Sequence, residues 1–186
     1  TNLWSISEPK PTPVSCAKGA VLGGKIYIPG GITAANVVTN KMELFDLQTN
    51  KWHEGVRLPT SISNYALITY EGQLFLFGGT NGKVAQSKVI TFSPNSAMWV
   101  ELPSLAMSVV DPFIFVQGAE VFVIQKRADK EHAFFIQTNN LIRMQSDQSE
   151  WIIDEIHLDI PVNSQMVQVG EFFFLLSSNG IWKHDI

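Results

Sequence analysis

The chain has 186 residues, of which 45% are hydrophobic and 16% charged, a composition that predicts an ordered domain with a sizeable core. The net charge of −4 argues against a nucleic-acid partner, because such surfaces concentrate Lys and Arg, and no apolar run approaches the ~20 residues of a membrane-spanning helix. A single cysteine, Cys16, excludes an internal disulfide and fits a cytoplasmic location weakly. The absence of an initiator Met fits a processed chain or an excised domain equally well.

An internal repeat of about 47 residues runs through the chain. Three independent spacings agree on this period. Four tryptophans are separated by 48, 47 and 52 residues, two glycine pairs by 48, and three apolar residues each precede a repeat tryptophan by seven. These markers are Trp4, Trp52, Trp99 and Trp151; Gly30-Gly31 and Gly78-Gly79; and Phe45, Phe92 and Met144.

The first two units each predict four short strands, termed a to d. Strand b ends in the glycine pair, as in "GGKIYIPGG" (23–31) and "EGQLFLFGG" (71–79), where glycine permits a positive φ at a strand end. Strand a precedes it, strand c follows a polar loop, and strand d opens with the tryptophan. Strands a and c are predicted at 17–22, 41–47, 65–70 and 88–94.

The third and fourth units depart from this pattern. In the third, Gln125-Lys126 replaces the glycine pair, and a longer connection includes "HAFFIQ" (132–137), which either extends strand c or forms an added hairpin. In the fourth, strands a, b and c are predicted at 164–170, 171–178 and 181–186, with Ser177-Ser178 at the glycine positions and no strand d.

This pattern resembles the kelch repeat, in which a glycine pair is followed by a loop, an aromatic-Asp pair, a short turn and Trp. The first unit carries all of it, in Gly30-Gly31, Phe45-Asp46 and Trp52, whereas the second has Ser93 in place of the Asp. The resemblance implies an all-β fold, a kelch-type β-propeller in which each unit forms one blade. Stacking would cover faces that a single small sheet cannot bury.

The two ends of the chain predict how the ring closes. The segment opening with Trp4 supplies the strand d that the fourth unit lacks, so we predict four four-stranded blades, with Trp4's strand antiparallel to the strand ending at Ile186. The predicted single domain spans 1–186, with blades at about 11–55, 60–103, 108–160, and 164–186 plus 1–8. The alternatives are part of a larger propeller and half of an eight-bladed ring of two chains; a monomer is favoured over a homodimer.

Loops on one face predict a binding module. Consecutive strands are antiparallel, so the b–c and d–a loops emerge together, and they are rich in Asn, Ser, Thr and Lys, which suit recognition. These loops are 32–40, 57–64, 80–87, 126–132 and 161–165. We predict a non-catalytic role in holding a protein or peptide partner, with these candidate residues taken as a set: Asn36, Arg57, Asn64, Lys83, Arg127, His132 and Asn163.

An enzyme acting on a carbohydrate or sugar acid is the alternative. It would need acid and base groups near the starts of the a strands, and these stretches offer Ser15, Lys18, Ser63, Tyr65 and Asp111, which include only one carboxylate. No catalytic constellation and no cofactor are predicted.

No metal site is predicted either. Glu155, His157 and Asp159 alternate along one face of a strand, where a solvent-facing surface explains them better than a metal site.

Overall fold

The structure is a computed structural model that describes residues 3–117, 120–126, 133–138, 151–156, 165–169, 172–177 and 180–185. Every regular element within these ranges is a β-strand, which confirms the predicted all-β class. These ranges hold no helix of the length and hydrophobicity needed to cross a membrane.

The first two units form antiparallel meanders. The strands of the first are β1 (Val14–Ser15), β2 (Ala20–Leu22), β3 (Lys25–Pro29), β4 (Ile32–Thr33), β5 (Met42–Asp46) and β6 (Lys51–Glu54). β2, β3, β5 and β6 form a sheet in that order, and β1 pairs with β4. The second sheet contains β7 (Ala66–Tyr70), β8 (Gln73–Phe77), β9 (Val89–Ser93) and β10 (Met98–Leu102).

The described parts of the third and fourth units form two further antiparallel sheets. The third contains β11 (Phe113–Gln117), β12 (Glu120–Lys126), β13 (Ala133–Thr138) and β14 (Trp151–Ile156). The fourth contains β15 (Gln165–Val169), β16 (Phe172–Ser177) and β17 (Gly180–Asp185). The predicted strand order a-b-c-d is therefore present in the first three sheets, and a-b-c in the fourth.

The second sheet is buried on both faces. Along β8, Leu74 and Leu76 join a cluster with Tyr27 of the first sheet, whereas Phe75 and Phe77 join one that contains residues of the third. All four side chains are at most 1% exposed. β2 contacts β7 and β8, and β7 contacts β11, so neighbouring sheets also meet at their a strands. This stacking is what a β-propeller requires of its blades.

The glycine pairs tie each sheet to the link that leads to the next one. The Gly31 amide donates to the Ile62 carbonyl oxygen and the Gly79 amide to that of Val109, each at 2.8 Å. Both glycines have a positive φ, as predicted, at +99° and +93°. A Cβ on Gly79 would lie 2.6 Å from the Ser63 carbonyl oxygen, so close backbone approach also requires glycine there.

The third unit shows which stretch forms its strand c. Trp151 lies opposite Thr138, as Trp52 lies opposite Phe45 and Trp99 opposite Phe92. Strand c of this unit thus contains 133–138, which agrees with the alternative in which this stretch is part of strand c; Met144 lies outside the described residues. The "AFFIQT" stretch is richer in aromatic and β-branched residues than "LIRMQS" (141–146), and such residues pair more favourably on a pleated sheet.

Among the described residues, the N-terminal segment does not pair with β17 in the way predicted for ring closure. Residues 3–13 contain no strand, Trp4 is fully exposed, and β17 is an edge strand of its three-stranded sheet. Contacts with the first sheet hold the segment instead, because the Glu8 carbonyl oxygen accepts a 2.8 Å bond from the Trp52 indole. The prolines at 9, 11 and 13 also remove amide donors that strand pairing would need.

Candidate functional site

Three equivalent residues form a hydrogen-bonded arc just before the a strands. Cys16, Asn64 and Asp111 are spaced by 48 and 47 residues and precede β2, β7 and β11. Their φ angles are +54°, +52° and +48°. The Asn64 amide donates to the Cys16 carbonyl oxygen at 2.8 Å, and the Asp111 amide to that of Asn64 at 2.6 Å. We call these three residues the inner arc.

The inner arc repeats one unusual backbone conformation with three different side chains. A left-handed conformation costs a non-glycine residue roughly 1–2 kcal/mol, and Asn and Asp tolerate it best. The hydrogen bonds between successive units offset this cost, so the conformation follows from the packing of the repeats. The result is a fixed backbone that presents a different side chain in each unit.

Opposite charges meet across the inner arc. The Lys18 Nζ lies 3.0 Å from the Asp111 Oδ1, which joins the first unit to the third. These side chains are 48% and 64% exposed. Such a pair contributes at most about 1 kcal/mol to stability, because water screens the attraction between its charges. Since both side chains are exposed, both charged groups are accessible to a ligand.

Tyr65 lies beneath the inner arc and has a structural role. Its ring is fully buried, and its hydroxyl donates to the Pro29 carbonyl oxygen and accepts from the Lys18 amide at 3.2 Å. Burial raises the pKa of Tyr65 well above its ordinary value. A neutral, backbone-bonded hydroxyl is unsuited to acid–base chemistry at neutral pH. Ser63, another of the residues considered for catalysis, is also fully buried.

Two predicted binding residues occupy equivalent loop tips. Asn36 and Lys83 are both exposed, and each lies within a turn closed by a threonine hydroxyl. Thr33 Oγ1 donates to the Val37 carbonyl oxygen at 3.2 Å, and Thr80 Oγ1 to that of Val84 at 3.0 Å. Because Gly31 and Gly79 bond to the d–a links, these b–c loops lie beside the links that carry the inner arc.

Of the remaining predicted site residues, the structure describes Arg57. Arg57 is exposed and bonds to Glu54 at 2.9 Å and to the Asn40 side chain at 3.4 Å, near strand d. Arg127, His132 and Asn163 lie outside the described residues.

The structure adds nothing in favour of a metal site. Of the alternating acidic and histidine residues, only Glu155 is described, in β14. Across the described ranges, no group of three or more His, Cys, Asp or Glu side chains is placed to hold a metal ion.

Sequence reasoning missed the equivalence of Cys16 and Asp111 with Asn64. The signal was available, because the same 48- and 47-residue spacing separates them as separates the tryptophans. It was overlooked because the three side chains differ chemically, whereas what repeats is the backbone conformation.

Stacked antiparallel four-stranded sheets that meet at their first strands define a β-propeller-like protein. A solved structure, that of YjhT, has a similar fold, with a TM-score of 0.69 over 88% of this chain and 58% of that one, at 13% identity. Residues 13–59 match the Kelch motif.

Two curated relatives have Kelch in their names. The chain is 27% identical over 156 residues, 81% of its length, to the Kelch repeat and BTB domain-containing protein A55 of Vaccinia virus (strain Western Reserve). It is 28% identical over 129 residues, 68% of its length, to Kelch-like protein 35 of Mus musculus. These matches confirm the predicted resemblance to the kelch-repeat family. The chain spans only 26% and 21% of these two relatives.

Proposed function

We propose that the chain is a non-catalytic binding module whose inner arc, with the adjacent b–c loop tips, holds a peptide segment of a protein partner. The observation that carries the proposal is the inner arc, in which three units share one strained backbone conformation but present Cys16, Asn64 and Asp111. A constant framework with variable side chains is typical of recognition surfaces. The similarity to kelch-repeat proteins supports a protein-interaction role.

The chemistry of the inner arc favours a polar peptide with both charges. Lys18 and Asp111 are exposed and have opposite signs, so the surface has no strong net charge. Exchanging their mutual contact for contacts with a ligand costs little, since the exposed pair is weak. Further hydrogen-bonding groups come from Asn64 in the inner arc and from Asn36 and Lys83 on the loop tips.

The alternative is an enzyme acting on a carbohydrate or sugar acid. The burial of Tyr65 and Ser63 argues against it, because two of the five residues considered for catalysis cannot reach a substrate from the surface. Of these five residues, Asp111 is the single exposed carboxylate. Lys18 is the one acid or base of the five that lies beside it.

A peptide-display selection on the purified chain tests the proposal. Affinities of the selected peptides are then measured with Asp111→Asn, which keeps a residue that tolerates positive φ, and with Lys18→Met. We expect each variant to weaken binding roughly tenfold, the loss that corresponds to one hydrogen bond to a charged group. Lys88→Met is the matched control, because it opens an exposed 3.0 Å ion pair with Glu101 on the second sheet.

Two results would contradict the binding proposal. One is a set of peptides that bind Asp111→Asn and Lys18→Met as tightly as the native chain. The other is turnover of a panel of sugar acids that Asp111→Asn abolishes while the fold stays intact, which would favour the enzyme.

We also propose that residues 1–186 form one propeller domain. The exposed Val167, Val169 and Ile181 on the fourth sheet favour the larger propeller or the two-chain ring over a closed four-bladed monomer, because a closing blade would cover them. Solution mass combined with small-angle scattering distinguishes a single ring, a ring of two chains and an open arc.

A further inference from the structure

The N-terminal segment repeats the link between the first two sheets. "EPKPTPV" (8–14) aligns with "VRLPTSI" (56–62) at the 48-residue spacing. The structural positions agree, because the Trp52 indole donates to the Glu8 carbonyl oxygen at 2.8 Å and the Trp99 indole to that of Val56 at 3.1 Å. Residues 8–12 therefore lie on the first sheet in the same way that the link between the first two sheets, which begins at Val56, lies on the second sheet.

One pair of positions differs in chemistry between these two junctions. On the second sheet, Leu58 of the link and Ile90 of β9 belong to one buried cluster. Their equivalents at the first junction are Lys10 and Glu43, which form an ion pair instead. The Glu43 side chain is only 3% exposed. Thr12 completes the contact, through its hydroxyl at 2.7 Å and its amide at 3.2 Å from the Glu43 carboxylate.

The groups facing Glu43 favour its ionised form. Lys41, which immediately precedes β5, places its Nζ 3.4 Å from the carboxylate, and the neighbour on β3 is the apolar Ile28. Glu54 lies opposite on β6 but is itself paired with Arg57 at 2.9 Å. Burial acts to raise the pKa of Glu43, but the hydrogen bonds from Lys10 and Thr12 outweigh it, and the pKa lies below its ordinary value.

We propose that Lys10 and Glu43 form a latch that seats residues 8–12 on the first sheet and that opens when either charge is lost. A buried carboxylate without its partner is strongly unfavourable, so this face selects a segment bearing a lysine over an apolar link. A group whose folded pKa is lowered stabilises above its unfolded pKa, and that stabilisation is lost as pH falls through the folded pKa. Acid therefore opens the first junction, whereas Leu58 and Ile90, at the equivalent positions of the second junction, do not titrate.

The two tryptophan indoles report on the two junctions separately. In the whole chain labelled with ¹⁵N-tryptophan, Glu43→Gln is expected to lower the protection of the Trp52 indole against solvent exchange by roughly tenfold or more, the loss of a hydrogen bond to a charged group. The Trp99 indole, bonded to Val56 in the equivalent junction, serves as the internal control and is expected to keep its protection. In the native chain, lowering the pH from 7 to 3 should produce the same selective loss.

A rescue variant separates the latch from general damage. Lys10→Leu combined with Glu43→Ile recreates the apolar pair of the second junction, and we expect it to restore Trp52 protection and remove its dependence on acid. Unchanged Trp52 protection in Glu43→Gln would overturn the proposal. So would an equal loss at Trp99 and Trp52 in the native chain at pH 3, a measurement that does not depend on the variant folding.

Discussion

The indole Nε1 of Trp99 donates a 3.1 Å hydrogen bond to the carbonyl oxygen of Val56, which joins the second sheet to the link that leaves the first. The same ring lies 5.0 Å from that of Phe92 and packs against the cluster between the two sheets. Trp99 therefore contacts the link from the first sheet through its N–H and the cluster between the two sheets through its ring.

Replacing Trp99 tests these two contributions. Trp99→Phe keeps an aromatic ring and loses the hydrogen bond, so we expect the free energy of unfolding to fall by about 1 kcal/mol. Trp99→Ala also removes the ring contacts and should cost clearly more. Urea unfolding followed by circular dichroism measures both. Equal losses in the two variants would show that the ring contributes nothing.

Gly79→Ala tests the close approach at the second glycine pair. Alanine at a φ of +93° costs roughly 1–2 kcal/mol for conformation, and its Cβ would also meet the Ser63 carbonyl oxygen. Gly72→Ala is the matched control, because Gly72 has a φ of +73° but no atom within 4 Å of an added Cβ. We expect Gly79→Ala to lower the thermal unfolding temperature more than the control. Equal decreases in the unfolding temperature of the two variants would show that the close contact with the Ser63 carbonyl oxygen does not constrain residue 79.

Truncations along β8 test whether the second sheet is buried on both faces. Phe75→Ala should cost about 3–5 kcal/mol and Leu76→Ala about 2–5 kcal/mol, because each opens a cavity on a different side. Val100→Ala, at a residue that is 51% exposed, should change stability by less than about 0.5 kcal/mol. Urea unfolding measures all three. A negligible loss in either β8 variant would mean that its face is uncovered.

Tyr65→Phe removes a buried hydroxyl and leaves its backbone partners unsatisfied. We expect a loss of about 1–3 kcal/mol at neutral pH, because the Pro29 carbonyl and the Lys18 amide lose their bonds to it. Urea unfolding at pH 7 measures this loss. A variant as stable as the native chain would show that the hydroxyl is dispensable.

The same tyrosine predicts alkaline sensitivity. Since the folded pKa of Tyr65 is raised, its contribution is complete below the unfolded pKa of about 10 and is lost as pH rises further. Native stability should therefore decline with pH above that value, and Tyr65→Phe should decline less steeply. Absorbance of tyrosinate during alkaline titration checks this directly, with the urea-unfolded chain as the reference in which all three tyrosines ionise normally. Full ionisation of all three tyrosines in the folded chain near that pH would contradict the prediction.

Much of the fold followed from local pattern. The period of about 47 residues, the strand order and the positive φ of the glycine pairs are visible in sequence, because strand propensity and turn chemistry depend on neighbouring residues. Of the proposed site, Asn36, Asn64 and Lys83 were predicted from loop composition, and backbone hydrogen bonds join the loops that carry them. Their arrangement around the inner arc was not predicted.

The tertiary structure decided what depends on partners distant in the chain. Trp151 lies opposite Thr138, because strand pairing depends on the whole segment and not on a fixed spacing from one tryptophan. Among the described residues, the segment around Trp4 does not pair with β17, and Glu43 and Trp52 hold residues 8–12 on the first sheet instead. Lys10 and Glu43 are 33 residues apart, and Tyr65 lies 36 from Pro29. Sequence by itself determined which strands form and how often they recur, whereas burial and hydrogen bonding across sheets determined which polar groups are structural and which stay open to a partner.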